Sequence, residues 1–238
     1  MCSDSVSVLA SEILDFCDAH SLHIACAESL TGGLLSDSFV KIPGASRVFL
    51  GSAVTYDIRE KSKILGVDCD LLKSCGAVDA RVAKQMAFGA ARLYSGSGWC
   101  YKRFEQQKDV DNPDFPIIGL STTGVAGPGS DDGKPAGLAY IGVFVPTVTD
   151  KSCYSLDSDA IFCKFNRIKN CVFDCKCGKI SNFSLEKYDF YSCDLGLLIS
   201  AQLNISGNRE EVRNGVVYAL IKILHSIIFE DWIFDARA

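Results

Sequence analysis

The sequence predicts an α/β fold, with helices on both faces of a sheet and an inserted β-rich lobe. Three observations carry that expectation. Short apolar runs rich in β-formers alternate with segments whose apolar residues recur at helical intervals, the pattern of layered α/β domains. Glycine-rich turns follow two of the runs, at Thr31-Gly32-Gly33 and at Thr123-Gly124-Val125-Ala126-Gly127-Pro128-Gly129. A chain of 238 residues, 48% of them apolar, is long enough to bury one sizeable core, so residues 1–238 are read as a single domain with two insertions.

The elements follow in order. Val6, Val8, Leu9, Ile13, Leu14 and Phe16 recur at helical spacing with no cationic segment before them, which reads as an amphipathic helix and not a signal peptide. Leu22–Ala27 is a buried strand, Glu28–Gly33 a tight turn, and Leu34, Leu35 and Phe39 the inner face of a helix. Arg47–Tyr56 is rich in β-formers and predicts a second strand. Ile58–Leu65 predicts a short helix stopped by Gly66, and Asp79 caps a helix carrying Val82, Met86, Ala90 and Leu93.

A polar excursion covers about 99–115, and then Ile117–Ser121 and Leu138–Val145 read as strands. Residues 147–196 hold β-formers, aromatics and six of the twelve cysteines, and read as the inserted lobe. Leu197–Ile205 predicts the next strand, and Asn208 with Glu211 a capping-box start to a long helix with Val212, Val216, Leu220, Leu224 and Ile227 on one face. Its most apolar stretch, Val216–Ile228, is interrupted by Lys222 and His225 and is shorter than a bilayer requires, so no transmembrane segment and no membrane partner are expected.

Composition narrows the function. A net charge of −5 without a basic tract disfavours nucleic-acid binding and leaves room for a small anion held by one or two cations. The twelve cysteines lack regular spacing, so reduced thiols in a cytoplasmic protein are expected in place of a disulfide scaffold. Cys171, Cys175, Cys177 and Cys193 do not follow a standard zinc spacing. No metal and no cofactor are expected.

Ligands of open α/β sheets sit at the carboxyl ends of strands, where Glu28, Tyr56 and Thr123 fall. Ser29, at a strand-to-helix turn, has the placement of a nucleophile with nearby N–H groups for an oxyanion, or else it merely caps the helix. None of His20, His23 and His225 is well placed to be its base. Lys61, just past the second strand with Tyr56, is a candidate base if a pocket desolvates it, and otherwise a solvated helix residue. The Thr123–Gly129 loop offers amides and a hydroxyl to an anion but lacks the P-loop ending. Arg209, at a helix N-terminus after Gly207-Asn208, suits a phosphate or a surface ion pair.

Five stretches in register carry a resemblance: Ala27-Glu28-Ser29-Leu30-Thr31-Gly32-Gly33; Val54-Thr55-Tyr56 with Lys61 and Leu65-Gly66-Val67; Gly76-Ala77-Val78; Thr123–Gly129 with Lys134-Pro135-Ala136-Gly137; and Gly207-Asn208-Arg209. Together they resemble the CinA C-terminal domain family over about 5–95, 116–146 and 197–230. The resemblance implies a three-layer α/β/α sandwich with a central mixed sheet. It also implies self-association into a homo-oligomer and hydrolysis of nicotinamide mononucleotide to nicotinate mononucleotide and ammonia, in pyridine nucleotide salvage.

By the same resemblance Ser29 is the nucleophile, Lys61 its base and Tyr56 an orienting or relaying group. Glu28, Thr31, Gly32, Gly33, Thr123, Gly124 and Arg209 bind the substrate, with amides of Thr31–Gly33 receiving the oxyanion. Leu30, Ile58 and Asp79 depart from the family pattern, and Ile58 lies beside the pocket. The alternative is a non-catalytic ligand-binding or competence-associated member of the same family.

Overall fold

Alternating side chains of the central strands separate into two apolar cores, one on each face of the sheet. In the first strand Ile24 and Cys26 join one core, while Ala25 and Ala27 join the other. The computed structural model describes residues 2–95, 116–146, 183–193 and 196–229. The elements are α1 (Cys2–Ala19), β1 (His23–Glu28), α2 (Leu34–Val40), a 3₁₀ turn (Ala45–Arg47), β2 (Phe49–Val54), α3 (Ile58–Leu65), α4 (Cys69–Cys75) and α5 (Ala80–Leu93). There follow β3 (Ile117–Gly124), β4 (Leu138–Pro146), β5 (Phe183–Cys193), β6 (Gly196–Ile205) and α6 (Arg209–Phe229).

The six strands lie in the order β2-β1-β3-β4-β6-β5. β1 runs parallel to both β2 and β3, and the remaining pairs are antiparallel. Helices α1, α2 and α6 cover one face through Ile13, Leu35, Phe39, Val216 and Leu220. Helices α3, α4 and α5 cover the other through Leu65, Leu72, Val82, Met86 and Ala90. This is an α/β fold of three layers with a mixed sheet, and the parallel half gathers the ends of β1, β2 and β3 at one edge.

Several features depart from the sequence expectations. β3 continues past Ser121 to Gly124, because two hydroxyls that look like loop residues are bonded inside: Thr122 pairs with Thr31 (2.7 Å) and Thr123 donates to Ala77 O (2.7 Å). α4 was not expected, since seven residues are too few to show a period; its start is the Asp68 carboxylate, which accepts from the Asp70 and Leu71 amides. The second strand is shorter than Arg47–Tyr56, with Arg47 in the 3₁₀ turn and Tyr56 beyond the strand end.

A further one concerns the inserted lobe. Its described part, β5, pairs with β6 from Phe183↔Ile205 to Cys193↔Gly196 and so extends the main sheet as an edge strand. Residues 147–182, with Cys171, Cys175 and Cys177, and the excursion at 99–115 lie outside the described residues.

α6 starts as its sequence indicates: Asn208 Oδ1 accepts from the Glu210 and Glu211 amides, and Glu211 accepts from Asn208 N. The helix is buried on more than the one predicted face, including Val217, Tyr218, Ala219, Ile221 and Ile223. At 21 residues it is long and apolar enough to cross a membrane by length and composition, against the shorter stretch expected from sequence. Its burial between the sheet and α1 accounts for that composition.

Candidate active site

The site is organised by a carboxylate. β1 ends on Glu28, whose buried side chain accepts five hydrogen bonds: from Thr31 Oγ1 (2.8 Å), the amides of Gly33 (2.8 Å), Leu35 (3.1 Å) and Ser36 (3.0 Å), and Ser52 Oγ (2.9 Å). The first amides of a helix lack partners within the helix, and a negative charge there also meets the helix dipole favourably. Gly33, at φ 104°, occupies the α2 N-cap without a side chain of its own, and Glu28 takes that place. Glu28 was expected to bind substrate. Its oxygens are instead occupied by the protein, and it holds the turn that presents Ser29.

Ser29 N–H donates to Thr122 O (3.0 Å), which continues the parallel pairing of β1 with β3 one residue beyond the strand. Its hydroxyl accepts from Lys61 Nζ at 2.9 Å. Lys61 lies in the first turn of α3, which Asp57 caps by accepting from Arg59 N. The ammonium is fully buried and also donates to Thr55 O. Burial lowers its pKa from 10.5 to about 8, and the more distant Asp57 charge only partly opposes this. A lysine so placed loses its proton far more readily than one in water.

Tyr56 and Arg209 form a second cluster. Tyr56 is 63% exposed, and its hydroxyl accepts from the Arg209 guanidinium (3.0 Å), which also donates to Gly127 O (2.6 Å). Among the described residues no hydrogen bond joins Tyr56 to Ser29 or Lys61, so the expected proton relay has no bonded path, and the phenol anchors Arg209 instead.

The remaining expected residues turn inward. The Thr31 hydroxyl is held by Glu28 and Thr122, and the Thr123 hydroxyl by Ala77 O. A Cβ on Gly124 would come within 2.7 Å of Ala139, so that glycine serves strand packing. The Gly32 amide donates to Ser29 O (3.2 Å) and the Gly33 amide to Glu28.

A family model for the CinA C-terminal domain matches residues 6–98 and 115–169. The chain belongs to that family. A CinA-like protein of Gloeothece citriformis is 42% identical over 124 residues, which are 52% of this chain and 25% of that one. A CinA-like protein of Dictyoglomus thermophilum is 38% identical over 138 residues, 58% of this chain and 29% of the relative. The chain thus spans less than a third of the length of these curated relatives.

Among solved structures, the competence/damage inducible protein CihA from Agrobacterium tumefaciens has a TM-score of 0.61 at 22% identity, covering 93% of this chain and 94% of its own. The competence damage-inducible protein A of Klebsiella pneumoniae subsp. pneumoniae has a TM-score of 0.61 at 18% identity, covering 95% and 98%. These likenesses show the α/β fold of the CinA superfamily.

Among the described residues of this CinA domain no cysteine or histidine hydrogen-bonds Ser29. Burial pushes the Cys17 thiol up to about 12 and the Cys26 thiol well above its ordinary value, so both stay protonated. His225 bonds Glu12 (2.6 Å) across α6 and α1, and His20 bonds Phe16 O (2.8 Å). Sequence reasoning missed Arg213, which donates to Leu30 O (2.9 Å) and Thr31 O (2.7 Å). The available signal was its spacing four residues after Arg209, which puts both on one helix face.

Proposed function

We propose that the protein is a serine amidohydrolase that converts nicotinamide mononucleotide to nicotinate mononucleotide and ammonia. The observation that carries the reading is the buried Ser29–Lys61 pair at 2.9 Å, with the lysine pKa lowered to about 8. A neutral amine keeps two hydrogens and one lone pair. With Thr55 O accepting one hydrogen, the lone pair is left for the Ser29 proton, a base and nucleophile within hydrogen-bond reach.

As Lys61 takes that proton, Ser29 Oγ bonds to the carboxamide carbon and the carbonyl oxygen becomes an oxyanion. Collapse of this intermediate breaks the C–N bond, and the nitrogen leaves as ammonia with the proton held by Lys61. Water then attacks the acyl-enzyme, Lys61 accepts its proton and returns it to Ser29, and the acid is released. The Arg209 guanidinium, fixed by Gly127 and Tyr56, offers a cation to the 5′-phosphate and orients the reacting end.

The test is ammonia release from nicotinamide mononucleotide by the purified protein. Ser29→Ala and Lys61→Ala are each expected to lower kcat by about 10³-fold or more. Full turnover by Ser29→Ala would overturn the mechanism, and binding without ammonia release by the unaltered protein would favour a ligand-binding role.

A further inference from the structure

Two buried groups beside Ser29 are left over by the hydrogen bonds of the site. Lys61 Nζ bonds Ser29 Oγ at 2.9 Å and Thr55 O. An ammonium carries three hydrogens and a neutral amine two. With one hydrogen on Thr55 O, and the Ser29 contact made by a hydrogen or by the lone pair, one N–H remains in either form. It meets no further acceptor among the described residues. The second group is the Thr55 hydroxyl, whose Oγ1 is buried with no partner among the described residues. Both side chains are fully buried. An unpaired polar group is costly in such a place, and here a donor and an acceptor stand unpaired on two residues already in contact.

The backbone of Thr55 is fixed on both sides of its Cα. Its N–H donates to Glu28 O at 2.9 Å, and its C=O accepts from Lys61. The hydroxyl can still turn about the single Cα–Cβ bond between staggered positions, beside the carbonyl that Nζ already touches. With no accessible surface, Thr55 is reached by neither substrate nor bulk water. Its partner is therefore a group of the protein, and the remaining Lys61 N–H is the unpaired donor in contact with the residue.

We infer that Thr55 is a positioning residue for the base: its hydroxyl, unpartnered in this arrangement, accepts the remaining N–H of Lys61 when the amine is protonated, and so as it takes up the Ser29 proton. In that step the Ser29 O–H bond breaks and a third hydrogen joins Nζ. The charge it brings makes the N–H···O bond to Thr55 roughly twice as strong as a neutral one. The bond thus favours the protonated Lys61 that accompanies the oxyanion. It also keeps the third hydrogen directed at Ser29, along the line by which the proton returns. The inference rests on the reading of Lys61 as the base for Ser29.

The experiment compares the unaltered protein with Thr55→Val, which keeps the shape and removes the hydroxyl, and Thr55→Ser, which keeps the hydroxyl. Three quantities are read as a function of pH: kcat and KM for nicotinamide mononucleotide, the rate at which a fluorophosphonate labels Ser29, followed by intact mass, and the midpoint of thermal unfolding. Labelling joins Ser29 Oγ to phosphorus with loss of fluoride and passes the same proton to Lys61, but contains no nicotinamide. Among the described residues Asp57, at the α3 N-cap, is the charged group that acts on Lys61, and it is the same in all three proteins.

On the alkaline plateau Thr55→Val is expected to lower kcat and the labelling rate by about 10- to 100-fold, with KM within about twofold. The acid limb of both profiles is expected to move to lower pH by about one unit, because the variant withdraws a bond that favours the charged amine. Thr55→Ser is expected to stay within about threefold of the unaltered protein. At pH 10, where Lys61 is neutral, the unfolding midpoint of Thr55→Val is expected to match or exceed that of the unaltered protein, and at pH 7 to fall below it. An equal deficit at both pH values, or a chain that does not fold, would show a hydroxyl paired whatever the state of Lys61 and would overturn the inference. Unchanged profiles in the folded valine variant, or a loss carried by KM, would overturn it too. If Ser29 labels with a Thr55-dependent profile but no ammonia is released, the substrate reading fails and the inference stands. If Ser29 does not label at all, both fall.

Discussion

Lys61 shows how one residue's chemistry depends on its surroundings. In the unfolded chain its ammonium is solvated with a pKa of 10.5, and in the folded protein that value is about 8. Below pH 8 the group is charged in both states, so folding bears the full cost of burying it, about 3 kcal/mol. Between 8 and 10.5 the folded state gives up its proton first, and the cost shrinks as pH rises. Thermal unfolding of the unaltered protein and of Lys61→Met at pH 7 and pH 10 is therefore expected to show the former gaining stability relative to the variant at the higher pH. A constant difference would show that the lysine is not depressed. The composition of α3 does not distinguish Lys61 from the exposed Lys63 two positions later; only the resemblance singles Lys61 out, and α3 turns one toward Ser29 and the other toward Glu60.

At the scale of elements, the close seating of α5 on the sheet sets the geometry of the second face. A Cβ on Gly119 of β3 would lie 2.0 Å from Ala87 O, and one on Gly142 of β4 would lie 2.4 Å from Ala83 O. Helix backbone rests directly on strand backbone there. Gly119→Ala is expected to destabilise the protein by about 2–4 kcal/mol, measured by urea unfolding, because rigid main chain and not a flexible side chain must yield. A loss below about 0.5 kcal/mol would mean that α5 lifts away at little cost. Elements with a clear period or cap were legible beforehand: α5 with its Asp79 cap, and α6 with the Asn208 and Glu211 box. The last residues of β3 were not. Thr122 and Thr123 have the composition of a turn, and only partners 91 and 46 residues away make them part of a buried strand.

Across the whole molecule, the candidate site is completed by the far end of the chain. Arg209 bonds Tyr56 from 153 residues away, and Arg213 bonds Leu30 from 183. The mixed sheet makes this possible, since α6 packs on the face that also carries α2 and so brings its first turn over the ends of β1 and β3. Arg209→Ala is expected to raise KM for nicotinamide mononucleotide by about tenfold or more, while leaving kcat/KM for the unphosphorylated riboside within about twofold. Equal losses on both substrates would show that the arginine supports the fold and not the phosphate. The alternation of apolar periods and the glycine turns were enough by themselves to specify an α/β fold, because periodicity and turn chemistry are local properties, and the resemblance of the Ser29, Lys61 and Arg209 motifs added the family and the candidate groups. Which oxygen Glu28 shares with which amide, where Tyr56 points and how Arg213 grips the Ser29 turn were decided by the tertiary structure alone, because each depends on hydrogen-bond partners that only folding brings within 3 Å or so.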